Sequence, residues 1–349
     1  MIEVKGLYKD WKEFALKDIT LQVKKEEYFV ILGPTGAGKT LLLETIAGFY
    51  IPDKGEVRIE GRDVTSVPPE RRRIGFIYQD YSIFPHLTVE QNIVFGLKLK
   101  KSSSPDTNRK RVKEIMAWLS ISHLAHRYPP ALSGGEQQKV AIARAIAIEP
   151  SILLLDEPLS ALDLRTKDYL REELKRVKEE FGITMVHVTH DQTEALILAD
   201  RIAVMMHGRI VQVGTPYEIF NKPLTDEIAD FVGVENILHG VVRSNEEGIA
   251  EIEVDTGTIL AVSEYRAGDV KVCIRPEEII LSESRGESSA RNVMRGRIKE
   301  LHDMGPLTRV KMDTGLVALI TKQSRENLRL RRGDEVYATF KATAVHVVR

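Results

Sequence analysis

The chain has 349 residues, 43% of them apolar, with 50 Lys and Arg against 51 Asp and Glu. That length suggests two or three domains with a sizeable buried core, and the balanced charge supplies no global field toward nucleic acid or anionic lipid. Cys273 is the only cysteine, which excludes an internal disulfide and fits a reducing cytosol, and no apolar run approaches the ~18 residues that a bilayer span needs.

Residues 1–5 show neither a basic nor an apolar leader segment, so no signal peptide is expected. Residues 2–4 and 19–23 alternate apolar and polar side chains, as antiparallel strands with one wet face do. An apolar run, 28–32, then precedes Gly33, Pro34, Thr35, Gly36, Ala37, Gly38, Lys39 and Thr40, and a helical pattern follows over 41–47. This is G-x-x-x-x-G-K-[ST] between a strand and a helix, the context a phosphate-binding loop requires. Its glycines let backbone N–H groups close around phosphate oxygens, and the helix points its positive end at the same anion. Lys39 can reach β- and γ-phosphates, and the Thr40 hydroxyl can ligate Mg²⁺. Trp11, in the turn between the first two strands, is either a half-buried aromatic or a platform on which adenine stacks.

Residues 51–55 read as a turn, 56–59 as a short strand, 68–73 as a solvated loop and 74–78 as another strand. Gln79 falls just past that strand's end, where open α/β sheets bind ligands, so it is either a solvated amide or a group that ligates Mg²⁺ and senses the γ-phosphate. Residues 81–87 are too apolar for a plain loop and suggest either a small core turn or a docking surface. Two helical patterns occupy 88–119, with 98–111 expected as a flexible connection between them, rich in Lys, Ser and Asn and containing Pro105.

Residues 132–138 precede a long helical pattern, 140–147. Ser133 with Glu136 spells a capping box, while Gly134 and Gly135 bare backbone N–H groups for a second anion. The continuous apolar run 151–155 reads as a strand buried on both faces and ends in Asp156 and Glu157. Adjacent carboxylates at the end of a buried strand are costly unless they serve a cation or a proton transfer. Beside a phosphate loop, Asp156 is the natural Mg²⁺ holder and Glu157 the base that orients and deprotonates an attacking water. Residues 158–163 lead to a charged helix, 164–181. Residues 183–188 form a further strand, and His190 follows at the same sheet edge, placed for phosphate contact. A hairpin over 202–213 and closing helices bring this domain to about residue 235.

From about 236 short alternating strands dominate, at 238–242, 249–254 and 270–274, which suggests a small β-barrel, and the polar loop 282–289 leads into a second barrel-like unit. From residue 285 onward there are 14 Lys and Arg against 7 Asp and Glu. A solvated basic face is one reading, and a nucleic-acid-binding barrel the other. The second lacks interleaved aromatics for base stacking, since only Tyr337 and Phe340 follow Tyr265.

In this order the segments resemble an ABC transporter ATPase subunit: 33–40 as Walker A, Gln79 as the Q-loop, 132–138 as the signature, 152–158 as Walker B, 160–163 as the D-loop and His190 as the switch histidine. The likeness spans residues 1–235, the expected ATPase domain, and departs only at Glu26, where many relatives carry Gly, and at Lys139, where Arg is commoner. It implies an α/β P-loop ABC ATPase domain with a parallel sheet core, an antiparallel β part and a helical subdomain, followed by an OB/TOBE-like β-barrel over 236–349. It implies a homodimer sandwiching ATP and Mg²⁺, with Ser133, Gly134, Gly135 and Asp163 of one subunit completing the other's site. It also implies integral membrane permease subunits docked near 78–87, and therefore a place on the cytoplasmic face of the cell membrane. The absence of a fused span and the β-rich extension resemble importers, which an external binding protein supplies. Ser289, Ala290, Arg291 and Asn292 with Lys341, Ala342 and Thr343 resemble the molybdate- and tungstate-binding Mop type of TOBE domain. That likeness implies an oxyanion site on the C-terminal domain and no nucleic-acid partner; such a site on a cytosolic ATPase, which cannot itself meet the external substrate, suggests trans-inhibition of transport by cytosolic oxyanion. A sulfate or sugar importer with a generic TOBE domain is the alternative.

Overall fold

Alternating apolar residues build β1 (Ile2–Asp10) and β2 (Ala15–Val23), which pair antiparallel and bury Ile2, Val4 and Leu7 on one face. The chain then turns through Glu26 at φ 60°, a left-handed conformation that costs a residue with a side chain ~1 kcal/mol and a glycine nothing. Its N–H donates to Thr184 Oγ1 at 2.9 Å, which holds the turn in place. β3 (Tyr28–Leu32) is buried along its whole length, and α1 (Lys39–Ala47) begins directly after the loop 33–38. β4 (Lys54–Ile59) and β5 (Arg62–Asp63) complete a four-stranded sheet in the order β2-β1-β4-β5.

β6 (Ile74–Ile77) is followed by α2 (Val89–Lys100) and α3 (Pro105–Trp118). The structure, a computed structural model, describes residues 1–100, 104–233, 235–286 and 288–348, so residues 101–103 of the expected flexible connection lie outside it. Most of the rest of that stretch is helical, not a connection. Ser104 accepts the Thr107 N–H as an N-cap and Pro105 takes the first helical position, so the two residues that suggested a break start a helix. Arg111 of that helix donates to the Ala147 carbonyl (2.8 Å) and pairs with Glu149 (2.7 Å). The run 81–87 is pinned from both sides: Arg144 donates to the Tyr81 and Ser82 carbonyls, and Asn92 brackets Phe84 through its N–H and C=O.

α4 (Gly134–Ala147) carries the capping box, and β7 (Ile152–Asp156), α5 (Leu164–Phe181), β8 (Thr184–Thr189), α6 (Gln192–Leu198), β9 (Arg201–Met206) and β10 (Arg209–Gly214) follow. The second sheet runs β10-β9-β3-β8-β7-β6, parallel except for β10. β3, β7 and β8 are buried on both faces, as helix-covered parallel strands are. Leu32 lies opposite Thr189, and Asp156 opposite Val188, so three carboxyl ends meet at one sheet edge.

The contacts divide the chain into Met1–Pro216 and Tyr217–Arg349. α7 (Pro216–Asn221) begins at that division and α8 (Asp226–Phe231) lies beyond it, although the sequence boundary falls at 235. Within the second unit Arg275 donates to the Phe220 carbonyl and Lys271 pairs with Asp226, which accounts for the earlier division.

The second unit contains β11 (Asn236–Glu246), β12 (Ile249–Val254), β13 (Gly257–Val262), β14 (Gly268–Ile274), β15 (Ile280–Ser282), β16 (Asn292–Met304), β17 (Leu307–Met312), β18 (Val317–Thr321), α9 (Lys322–Asn327), β19 (Glu335–Phe340) and β20 (Val345–Val348). They form two five-stranded sheets, β13-β12-β11-β14-β20 and β15-β19-β16-β17-β18. The halves repeat each other strand for strand, and each gives its last strand, β15 or β20, to the other's sheet. One hydrophobic core serves both, with Val242, Ile252 and Val272 from the first half and Ile298, Val310 and Phe340 from the second. The two barrel-like units expected in succession are therefore one interlocked unit. Asn292 joins the halves: its Oδ1 accepts the Leu260 N–H (2.7 Å) and its Nδ2 donates to the Leu260 carbonyl (2.9 Å). Asn236 makes the reciprocal pair with Val317 (2.6 and 2.9 Å).

Candidate active site

The loop 33–38 leaves the end of β3 with little room around it. A Cβ on Gly33 would lie 2.2 Å from the Met205 carbonyl oxygen, so only glycine lets the loop depart there. Gly38 caps α1 at φ 97°, and a Cβ on it would meet the Phe14 ring at 2.5 Å. The Gly33 N–H donates to the Thr189 carbonyl (3.3 Å), which ties the loop to β8.

Lys39 is 5% exposed and donates from Nζ to the carbonyls of Gly33 (2.9 Å) and Pro34 (3.0 Å). The same ammonium lies 3.7 Å from Glu157 Oε1. Burial pulls its pKa below the ordinary lysine value, while Glu157 and then Asp156 oppose the fall. Thr40 Oγ1 donates to Asp156 Oδ1 at 2.9 Å. Asp156 is 6% exposed, and burial raises its carboxyl above the usual carboxylate range against the pull of the Thr40 hydrogen bond. A hydroxyl and a buried carboxylate side by side are hard oxygen donors of the kind Mg²⁺ takes, so this pair fits that ion.

Glu157 occupies a left-handed turn at φ 43° directly after β7, and its N–H donates to the Val188 carbonyl (3.0 Å). That turn sends the carboxylate back across the sheet edge, where Oε2 lies 3.0 Å from His190 Nδ1. The contacts thus run from Thr40 to Asp156 and from Lys39 through Glu157 to His190.

Other residues singled out in the sequence lie elsewhere. Gln79 is exposed in the turn after β6. Ser133, Gly134, Gly135 and Asp163 line a separate cavity of about 450 Å³ with Leu162 and Thr166. Ser133 donates its hydroxyl to Glu136 (2.9 Å), and Asp163 caps α5 through Thr166. Trp11 is half-buried and packs in a T-shaped pair with Tyr50, ring centroids 5.2 Å apart. Two groups escaped the sequence reading. Phe14 walls the phosphate loop at Gly38, and its spacing from Trp11 in one short turn was the available signal. Asp191 and Glu194 brace the His190 turn, which the Asp of an N-cap position could have announced.

In the second unit Asn292 pairs with Phe340, so Arg291 and Lys341 lie just beyond the same end of the β16–β19 ladder. Ser289, Arg291, Lys341 and Thr343 are exposed, with Ala290 and Ala342 half-buried between them. Asn292 is 2% exposed and gives its amide to Leu260, which makes it an anchor for this end of the strand.

An ABC transporter family model matches residues 16–160, and a TOBE domain model matches 288–347. The molybdate/tungstate import ATP-binding protein WtpC of Pyrococcus abyssi is 48% identical over 350 residues, covering 99% of this chain and 100% of the relative. The sulfate/thiosulfate import ATP-binding protein CysA of Bacillus cereus is 38% identical over 355 residues, covering 99% and 98%. Among solved structures, the dimeric post-hydrolysis state of the ATP-binding cassette MJ0796 with ADP and Pi is 34% identical with a TM-score of 0.56, covering 62% of this chain and 99% of that one. No helix among the described residues is long and apolar enough to cross a membrane.

Proposed function

The chain belongs to the ABC transporter family of import ATP-binding subunits, ATP-hydrolysing in kind, and on that premise we propose that it drives molybdate or tungstate import and binds the transported oxyanion on its C-terminal unit. The observation that carries hydrolysis is the joined pair of contacts Lys39–Glu157–His190 and Thr40–Asp156 at one sheet edge. Lys39 leaves the carbonyls of Gly33 and Pro34 to take the β- and γ-phosphates of ATP. Thr40 and Asp156, with Gln79, hold Mg²⁺, which when bound neutralises charge on the phosphate oxygens. Glu157 accepts the proton of the attacking water, and His190 orients Glu157 and contacts the γ-phosphate. Trp11 stacks adenine, while Ser133, Gly134, Gly135 and Asp163 act on the nucleotide of a second copy. Their separation from Lys39 into another cavity supports that reading, as does the dimeric relative. Permease subunits dock near 78–87 and hold the chain at the cytoplasmic face of the membrane.

For the cargo, two exposed cations, Arg291 and Lys341, flank hydroxyls at one ladder end, and they can replace the hydration of a tetrahedral dianion. WtpC relatives carry molybdate and tungstate in their names, and the CysA relative keeps sulfate as the second reading. Calorimetric titration of the full chain with tungstate, molybdate, sulfate and phosphate separates them. Selective binding of the first two is expected, and binding of sulfate alone, or of none, overturns the cargo assignment. Filling of the site holds the ATPase halves apart and inhibits transport. Oxyanion-insensitive hydrolysis by the assembled transporter would rule that regulation out.

A further inference from the structure

His190 stands in a turn clamped on both sides. Thr189 donates its hydroxyl to Glu194 Oε2 (2.8 Å) and accepts the Asp191 N–H (3.0 Å). Asp191 Oδ1 accepts the N–H groups of Thr193 (2.8 Å) and Glu194 (3.2 Å), which caps α6. Glu194 is buried and lies 3.3 Å from His187 Nε2, whose Nδ1 is 3.0 Å from the Tyr28 hydroxyl. These contacts shape the turn from within its own strand and helix, and from β3 beside it.

The second carboxylate oxygen of Asp191 has a different address. Oδ2 lies 3.5 Å from Arg171 Nη2 and 3.8 Å from Lys167 Nζ, both on α5. Capping does not require this charge, because an asparagine caps a helix as well as an aspartate. Arg171 is 4% exposed, and a cation buried on one side of a charged helix is costly unless it has a partner to hold. Asp168 supplies one at 2.6 Å, and Asp191 supplies the other, across the gap between α5 and the turn. Asp163, Lys167 and Arg171 follow one another at four-residue spacing, so they form one stripe along α5. That stripe starts at the loop 160–163 and ends beside the turn that bears His190.

We propose that Asp191 is a positioning residue for hydrolysis: its carboxylate holds the His190 turn to the Lys167–Arg171 stripe of α5, so the placement of His190 follows the position of that helix. The proposal rests on the reading of His190 as the γ-phosphate contact. Catalytic groups need placement within about 0.5 Å, so the ion pairs at 3.5 and 3.8 Å that tie the turn to α5 bear directly on where His190 sits. A partner that engages 160–163 therefore moves His190 through this contact.

The test is steady-state ATPase kinetics on the full chain. Asp191→Asn keeps the cap and removes the charge. Its kcat should fall about fivefold to twentyfold while KM for ATP stays within roughly twofold. The double variant with Lys167→Gln should be no slower than Asp191→Asn alone, since Asp191→Asn already removes the Lys167 contact along with that to Arg171. Wild-type kcat in Asp191→Asn beside an inactive His190→Ala overturns the proposal, and so do losses that multiply in the double variant. Full activity in His190→Ala instead overturns the reading of His190 itself. If Asp191→Asn does not fold, Lys167→Gln decides alone: its side chain is 19% exposed, and a lowered kcat with unchanged KM supports the coupling where wild-type kcat refutes it.

Discussion

Glu157 divides its carboxylate between two partners, with Oε1 3.7 Å from Lys39 Nζ and Oε2 3.0 Å from His190 Nδ1. One side chain thus restrains both the lysine at the start of α1 and the imidazole just past β8. Glu157→Gln removes the charge that holds Lys39 and, with it, the base proposed to take a proton from water. The expected outcome is a fall in kcat of about 10² or more with ATP binding kept or tightened, measured by phosphate release and by nucleotide titration. Retained turnover would show that the base lies elsewhere.

Asp156 gives a pH-dependent expectation. Its carboxyl is raised above its unfolded value, first by burial, so the folded chain holds that proton more tightly than the unfolded chain. The contribution to stability is therefore complete below the unfolded carboxylate value near 3.9 and is lost as pH rises through the folded value. At neutral pH the ionised group is a cost, so Asp156→Asn should raise the Tm of the nucleotide-free protein at pH 7, while it abolishes hydrolysis. The gain should vanish near pH 4. A variant less stable than wild type at pH 7 would mean that the Thr40 hydrogen bond and Lys39 outweigh burial.

The segments that build the candidate site were legible because each is contiguous. Strand, glycine loop and helix follow one another over 28–47, and the apolar run of β7 ends in its two carboxylates. The pairing of Asp191 with Arg171 was not legible, because nothing periodic links a turn to a helix stripe 20 residues before it. The start of α3 was misread for a local reason: Ser104 and Pro105 have the same composition at a break and at an N-terminus. In the second unit the strand alternation was visible, but the exchange of β15 and β20 is a matter of partner choice, which alternation does not encode.

That exchange makes the two asparagine clamps equivalent. Asn292→Ala would strand the half-buried N–H and C=O of Leu260, and Asn236→Ala the buried ones of Val317. Each substitution should cost about 2–4 kcal/mol. Because one core serves both halves, the two variants should lower the same calorimetric transition. Two separate transitions, or a loss under ~0.5 kcal/mol, would mean that the halves fold independently.

The repeat also sets how many oxyanions one chain takes, if the C-terminal site is the cargo site. Asn236 pairs with Ile274 as Asn292 pairs with Phe340, so Glu235 and Arg275 occupy the places of Arg291 and Lys341. The second half presents two cations there, and the first half a cation and a carboxylate. Glu235 is engaged by Arg309, whose Nε donates to it at 2.8 Å. A dianion gains from two charge-assisted contacts at one end of the repeat and meets a carboxylate at the other. Calorimetry on the full chain should therefore saturate at no more than one tungstate per chain. Arg291→Glu copies the first half's charge pattern onto the second and should weaken binding about 100-fold, the loss of two good charge-assisted hydrogen bonds. A stoichiometry of two per chain would place anion binding in both halves and refute the charge argument, and undiminished affinity in Arg291→Glu would move the site away from the β16–β19 ladder end.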